Sequence, residues 1–569
     1  MEPIDTGNFE NSRQNHSLDP SDPYAREQQT FPFLTSEEID RVRQYGREES
    51  VSPGTYVFKL GERSVDFFVV LEGAIEIVEH DPDGSTRVNT AHRTQQFTGE
   101  LDLFNNRRIL VDGIVRGATV DQPGRLLRVP RQEFRRLISA EPELGEKITR
   151  AFILRRTGFI QHGEAGATLI ASHEDADAIR MARFLNRNGY PLKRLDPALA
   201  DDKTHADALL NQRNLTTNDL PVVLVSNMVS LSKPSNKELA IALGLTEDVS
   251  PDKPYDVIVV GAGPAGLSTA VYAASEGLST LIIEQEAPGG QAGTSSKIEN
   301  YLGFPTGISG PALAGRAWIQ SQKFGAQFAV SRKAVGIECE KQPFRLGLDG
   351  NDHAFGHSVV LATGARYRKL GLSEEGRFEN RGLYYAASAL EAKLCENSEV
   401  VVVGGGNSAG QAAVFLSSYA KRVHMLIRGK DLSASMSDYL VQRIAETDRI
   451  SLHGQTEITD LHGDDKLVEV TWKGPQEEKR KPISHVFVMI GAVPNTSWLN
   501  GCVELDRNGF VCTGTDVTEG RATSSFETSR PGVFAVGDVR AGSIKRVASS
   551  VGEGSVCVAS IHAWLSAIA

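Results

Sequence analysis

Two stretches of the chain are apolar without interruption, the VIVV of YDVIVV at 255–260 and the VVVV of EVVVV at 399–403. Each runs into a glycine-rich turn and then an alanine-rich segment. Short continuous apolar runs bounded by turn residues predict strands buried on both faces, as in a parallel sheet, and the segments that follow predict helices. The first third reads differently. Between about Phe31 and Phe159, short β-rich runs such as SVDFFVVLEGAIEIVEH and GRLLRVP are joined by Gly/Asp turns. They lead into the basic helical stretch RQEFRRLISAEPELGEKITRAFILRR. That pattern predicts a small β-barrel or roll capped by helices. From about Gly166 to Leu245, ATLIAS, PLKRLD and LPVVLV read as strands alternating with the helices DADAIRMARFLNRNGY, THADALLNQRN and SNKELAIALGL, a small α/β unit. TEDVSPDKP, polar with two prolines, reads as a linker.

Length adds that 569 residues exceed one core, so three or four domains are expected. Apolar content of 40% and charged content of 23% are those of an ordinary globular chain. A net charge of −11 argues against general DNA or RNA binding, because nothing gathers phosphates. No stretch approaches 18 consecutive apolar residues, so no membrane span is expected. The polar N-terminal stretch, residues 1–30, lacks a signal-type apolar region and reads as a disordered leader. The five cysteines (339, 395, 502, 512, 557) never fall at Cys-x-x-Cys spacing, which excludes a local redox pair or zinc knuckle and suits a reducing cytoplasm. No metal site is expected.

The first apolar run turns through Gly261-Ala262-Gly263-Pro264-Ala265-Gly266, opens a helix, and returns in a strand ending at Glu284. A strand, GxGxxG at a helix N-terminus and an acid about 20 residues later form a full dinucleotide fingerprint. The glycines admit a pyrophosphate and Glu284 is placed for ribose hydroxyls. The second run carries the GxGxxA form through Gly404, Gly406, Asn407, Ser408 and Ala409, but its next strand ends at Arg428 with Lys430 close by. Cations there accommodate a 2′-phosphate, so NADPH is expected, with NADH as the alternative. Two such folds imply a flavin beside a nicotinamide.

Region 255–569 resembles the low-molecular-weight thioredoxin reductase family of FAD- and NADPH-binding oxidoreductases. Beyond the two turns, the resemblance rests on PGGQ at 288–291, KIENYLGFP at 297–305, LATGA at 361–365, MIGAVPNT at 489–496 and GVFAVGDV at 532–539, in the family's order. It implies that Gly290, Gln291 and Asn300 line the isoalloxazine, that Thr363 and Gly364 back the adenine side, and that Gly537 and Asp538 meet the ribityl chain. Lys545, Arg546 and Val547 stand at the family's flavin-side turn, and Ile490 and Gly491 at its nicotinamide side. It also implies a homodimer, an FAD-binding domain at 248–369 plus 485–569, and an NAD(P)H-binding domain at 370–484. The family's dithiol places fall on Ala387 and Leu390, and its following aspartate falls on Glu391. Cys395 is out of register.

The middle region, 165–247, resembles a thioredoxin/glutaredoxin-like domain, with Pro221 at the fold's cis-proline and SHEDAD, Ser172 to Asp177, where its dithiol would stand. A helix-capping polar cluster is the expected role of that segment. Region 31–160 resembles a cyclic-nucleotide-binding domain through FVVLEGAIEIVEHDPDG and the cassette FTGELDLF. The resemblance places Gly99, Glu100 and Leu101 at the ligand. Val111 and Asp112 stand where the family's arginine and hydroxyl are expected, leaving Arg107 and Arg108 as candidate phosphate partners. A cyclic nucleotide, a cyclic dinucleotide and a purely structural shell all stay open.

The expected architecture is therefore multidomain: a β-roll with helices, a small thioredoxin-like α/β domain, and two Rossmann-like dinucleotide-binding domains. The expected activity is FAD-dependent NAD(P)H oxidation without the redox dithiol, regulated from the N-terminal domain. No catalytic side chain is named, since hydride transfer needs none, and the electron acceptor stays open among quinone, one-electron carrier and dioxygen. The alternatives are a thioredoxin-disulfide reductase using other thiols and a flavin-based sensor with little turnover.

Overall fold

The computed structural model describes residues 22–568 except 82, 100, 105–106, 118, 120–121, 165, 226–228, 251–252, 296, 380, 386, 388, 434 and 519–523. The chain divides into two compact units, one of residues up to His173 with Phe184–Glu247, the other of Glu174–Arg183 with residues from Asp248 onward.

The first unit opens on a β-roll. Strands β1 (Arg47–Val51), β2 (Tyr56–Phe58), β3 (Phe67–Glu72), β4 (Ala74–His80), β5 (Thr86–Arg93), β6 (Phe97–Thr98), β7 (Asp112–Arg116) and β8 (Gly124–Val129) form two antiparallel sheets, ordered β1-β8-β3-β6 and β2-β7-β4-β5. Phe67, Phe97, Phe104, Phe134 and Phe152 pack ring against ring in the core beside Leu127 and Val129. Each such fully buried side chain contributes about 1.5–3 kcal/mol. Helix α1 (Pro142–His162) follows and ends in left-handed Gly163. Part of the expected leader is ordered. Pro23–Arg26 and Glu27–Thr30 are short helices whose residue Tyr24 stacks on His162 at 5.0 Å and donates to Glu164 Oε2 at 2.9 Å. The physical reason is local: Asp22 accepts from Tyr24 N–H at 2.8 Å, and Gly158 leaves the space that the Tyr24 ring fills.

The rest of this unit is a mixed sheet, β10-β9-β11-β12 (Leu192–Leu195, Ala167–Ile170, Val222–Val225, Val229–Ser232). β9 and β10 are parallel and β11 antiparallel to β9, and the Leu220–Pro221 peptide is cis. Helix α2 (Ala176–Arg187) follows β9, its residues up to Arg183 counted with the second unit.

In the second unit the apolar runs are indeed central parallel strands. β13 (Tyr255–Val260) lies between β14 (Thr280–Glu284) and β18 (His353–Leu361), with β15 (Gln327–Val330) beyond β14. β16 (Ala334–Glu338) and β17 (Phe344–Leu348) extend the sheet through β18 as an antiparallel meander. Helix α3 (Pro264–Ser275) leaves β13. β19 (Ala365–Tyr367) then carries the chain out of this subdomain. A second sheet orders β20 (Leu383–Tyr384), β27 (Val486–Val488), β21 (Glu399–Val403), β22 (Arg422–Leu426) and β23 (Ile450–His453), all parallel, with α4 (Asn407–Leu416) after β21. β24 (Glu457–His462), β25 (Glu469–Lys473) and β26 (Glu478–Lys481) form an antiparallel sheet of their own. β28 (Ala492–Pro494) pairs with β19 and returns the chain to the first sheet, whose last strand, β29 (Val533–Ala535), lies parallel to β18. The boundary expected at 485 therefore moves. The buried VFV of β27 belongs to the second subdomain, because only a strand between β20 and β21 completes that sheet.

The C-terminal helix α5 (Val547–Ile568) buries Gly554, Cys557, Val558 and Ile561 against α3. It is the one helix among the described residues long and apolar enough to cross a membrane by length and composition, a feature missed by counting unbroken apolar runs.

Candidate functional site

The first glycine turn is built by β13 and α3. Gly261 has φ +105°, and a Cβ there would lie 2.4 Å from Ala362 O; at Gly266 it would lie 1.9 Å from Gly261 O. Packing explains those two glycines. At Gly263, the N-cap of α3, a Cβ would meet nothing within 4 Å, so open space stands at the helix N-terminus where a pyrophosphate fits. Other predicted residues converge on the same point. A Cβ on Gly290 would lie 3.0 Å from Gly263 Cα, and one on Gly537 would lie 2.8 Å from Ala265 Cβ. Gln291 donates through Nε2 to Ala365 O. Thr363 Oγ1 donates to Asn495 O at 2.9 Å, and Asn495 Nδ2 returns a bond of 2.9 Å to Thr363 O, locking the backbone ahead of Gly364. Glu284 receives Ala262 N–H at 2.8 Å and Glu286 N–H at 2.8 Å, which holds its carboxylate at the strand end.

Asp538 follows Gly537 in a short helical turn, and burial pushes its carboxyl above the usual range against the opposing charge of Lys545. Lys545 donates to Asp538 O at 3.1 Å and sits 4.6 Å from the Phe510 ring centroid. Arg546 is exposed and Val547 begins α5. Asn300 is exposed, with no hydrogen bond to the group among the described residues. Sequence reasoning missed Glu553, which accepts Gly537 N–H at 2.6 Å and pairs with Arg540 at 2.8 Å. The available signal was that Glu553 is the only Asp, Glu, Lys or Arg in α5.

The second turn repeats the design. Gly404 has φ +137° and a Cβ there would lie 2.2 Å from Met489 O. Gly406 caps α4 and Ala409 is buried beneath it. Ser435 donates to Gly405 O at 2.8 Å and Ser437 N–H to Asn407 Oδ1 at 2.8 Å, so the segment before Asp438 lies across the turn. Ser408 is exposed at the start of α4. Arg428 and Lys430 stand exposed beyond β22, in a turn pinned by Gln455 N–H to Gly429 O at 2.8 Å. Gly491 has φ +94° and accepts Arg368 N–H at 2.8 Å; Ile490 beside it is half-buried.

At the dithiol places, Ala387 is buried and the side chain of Leu390 lies outside the described residues. Glu391 is fully buried and receives the Arg183 guanidinium. Cys395 is fully buried in the core below β21, and its thiol donates to Glu391 O at 3.1 Å. Burial, aided by Glu391, pushes that thiol up to about 12. Cys339 and Cys502 form a disulfide, a pairing across 163 residues that no spacing rule reveals. In the small α/β domain His173 N–H and Nδ1 both reach Asp196 Oδ2, at 2.8 and 3.1 Å.

In the β-roll the candidate cations lie elsewhere than expected. Arg107 Nη1 donates to Asn188 O at 2.8 Å, and Arg108 packs on Gly244. Asp112 accepts Leu60 N–H at 2.7 Å and meets His80 Nε2 at 2.6 Å. Gly99 lines a small cavity in the roll together with Arg155, Phe58 and Val111. Glu100 and the side chain of Leu101 lie outside the described residues.

Two family models match this chain: pyridine nucleotide-disulphide oxidoreductase over residues 255–554 and cyclic nucleotide-binding domain over 48–141. The chain belongs to the pyridine nucleotide-disulphide oxidoreductase family. It is similar to the thioredoxin reductase of Listeria innocua, 32% identical over 310 residues that make up 54% of this chain and 92% of that protein. The Treponema pallidum thioredoxin reductase is 34% identical over 316 residues, 55% of this chain and 98% of that protein. Among solved structures, that of T. acidophilum thioredoxin reductase matches with a TM-score of 0.50 at 30% identity, covering 56% of this chain and all of that one. Thioredoxin reductases use FAD and NADPH, and both glycine turns have the geometry for such dinucleotides.

Proposed function

We propose that this protein is an FAD-dependent NAD(P)H oxidoreductase that delivers its electrons to an acceptor other than a protein disulfide, under the control of a ligand at the β-roll. When bound, FAD accepts a hydride from the nicotinamide and hands the electrons on. The chain's part is placement. The N-termini of α3 and α4 receive the two pyrophosphates through backbone N–H groups. Glu284 holds ribose hydroxyls, while Arg428 and Lys430 favour a 2′-phosphate. The observation that carries the non-disulfide reading is Cys395, buried, bonded back into its own helix turn and with a thiol held far from ionisation. A nucleophilic thiol needs exposure and a depressed pKa, and this one has neither.

The test is anaerobic mixing with NADPH followed by an acceptor screen of a quinone, a ferredoxin, dioxygen and DTNB. Flavin bleaching with quinone, ferredoxin or dioxygen turnover is the expected result, unchanged within about twofold in Cys395→Ser. Rapid DTNB turnover that Cys395→Ser abolishes would overturn the reading. A disulfide reductase working through other thiols is favoured by one observation, the Cys339–Cys502 disulfide, and Cys502→Ser separates it in the same assay.

A further inference from the structure

We propose that Glu553 of α5 is a positioning residue for FAD. It joins the pyrophosphate end of the first dinucleotide site to the turn that carries Asp538, and so sets the spacing between the two. This rests on the reading of the first glycine turn as the FAD site.

One turn of α5 makes the join. Ser268 of α3 donates to Val551 O at 2.7 Å, and Thr269 Oγ1 donates to Gly554 O at 3.4 Å. A Cβ on Gly554 would lie 2.3 Å from Ala265 O, so α5 rests directly on the first turn of α3, beside the open cradle at Gly263. Between Val551 and Gly554 in the chain, Glu553 accepts the Gly537 N–H through Oε2 at 2.6 Å. It also receives Arg540, Nη2 on Oε1 at 2.8 Å and Nε on Oε2 at 3.3 Å. The donors to this one carboxylate thus flank Asp538 in the chain on both sides. Gly537 has φ +75°, and a Cβ there would lie 2.8 Å from Ala265 Cβ. The pyrophosphate end, the Asp538 turn and α5 therefore meet around Ala265.

Packing of α5 on α3 does not call for this group. Cys557, Val558 and Ile561 already bury that face, and Glu553 is the only Asp, Glu, Lys or Arg of the helix. The pair is largely sealed, with Arg540 19% and Glu553 12% exposed, and a charge-assisted fork holds a fixed geometry. Removing the carboxylate leaves Arg540 uncompensated. Its remaining hydrogen bonds among the described residues are to Thr513 Oγ1 and Ala541 O, both at 3.5 Å. The nearest carboxylate along the chain is then Asp538, the group expected to meet the ribityl chain. A freed guanidinium would compete with the flavin for it, while the Gly537 N–H would lose the acceptor that fixes the turn.

Titration of FAD into the flavin-stripped full chain, beside calorimetric titration of NADP+ into the same protein, tests the proposal. Glu553→Ala should weaken FAD about thirtyfold or more and leave NADP+ within about twofold. Glu553→Gln keeps an oxygen for the Gly537 N–H but no charge for Arg540. It should weaken FAD only about three- to tenfold, a partial rescue that loss of packing does not produce. Adding Arg540→Met to Glu553→Ala removes the freed guanidinium and should recover at least about threefold of the loss. Circular dichroism confirms that each variant folds, and where Glu553→Ala does not, Glu553→Gln decides by the same split between FAD and NADP+. FAD affinity unchanged by Glu553→Ala, equal losses at both coenzyme sites, a Gln variant no better than Ala, or no recovery in the double variant would overturn the role. NADPH-driven flavin bleaching of the unaltered chain is recorded alongside. A chain that binds FAD but is not bleached counts against the oxidoreductase reading and leaves the Glu553 result standing, whereas a chain that takes up no FAD ends both.

Discussion

The two glycine turns of the second unit have one backbone design and opposite endings. Both place a left-handed glycine against a carbonyl, Gly261 on Ala362 and Gly404 on Met489, and both open a helix. After the first turn the next strand ends in Glu284, tied to three backbone N–H groups. After the second it ends in exposed Arg428 and Lys430. The shared part is what any pyrophosphate requires, and the difference lies at the strand end; under the proposed function the acid would suit ribose hydroxyls and the cations a 2′-phosphate.

The largest effect should come from breaking the shared part. Gly261→Val puts a side chain into a carbonyl at a φ that valine avoids, a cost of about 3 kcal/mol or more. The purified variant should carry almost no flavin by its visible absorbance, whereas Gly404→Val should keep flavin and lose its reduction by NADPH. Sharpening the difference comes next. Arg428→Ala with Lys430→Ala should raise KM for NADPH about tenfold while leaving NADH and kcat little changed, and equal effects on both coenzymes would remove the 2′-phosphate role.

The smallest effect concerns the second subdomain's stability. His453 is pushed down to about 4 by burial, reinforced by His424 and nearby lysines. Its Nε2 lies 3.1 Å from His424 Nδ1, and both rings pack on Trp472. Between pH 6.5 and 4 the unfolded chain binds a proton that the folded chain refuses. Stability is therefore full above pH 6.5 and falls as pH drops toward 4, by about 1 kcal/mol once discounted for partial solvent exposure. His453→Gln should flatten that slope in thermal melts over this window, and a slope unchanged by the substitution would break the account.

How much was legible divides along the same line. The strands at 255–260 and 399–403 and their glycine turns were readable because backbone-mediated binding leaves a local signature: an apolar run, glycines at fixed spacing, a helix. Glu553 was not, since its partner Gly537 is reached only when α5 packs against α3. The place of β27 was hidden too, because three buried residues do not say which sheet they complete. In the β-roll, register put Val111 and Asp112 at the phosphate-partner positions and left Arg107 and Arg108 as nearby substitutes, yet the small α/β domain claims both arginines for its own carbonyls. Arg155 drew no notice in a basic helical stretch, because burial, not spacing, sets it apart from the exposed Arg136 and Arg150.

Neighbouring residues were enough to specify the two dinucleotide folds, the β-roll and small α/β domain before them, and a chain without Cys-x-x-Cys, since each of these is a local property. Packing had to settle that Cys395 is sealed in a core, that Cys339 meets Cys502, and that a guanidinium stands inside the roll. Burial and charge are properties of a place, and the chain has no places until it has packed.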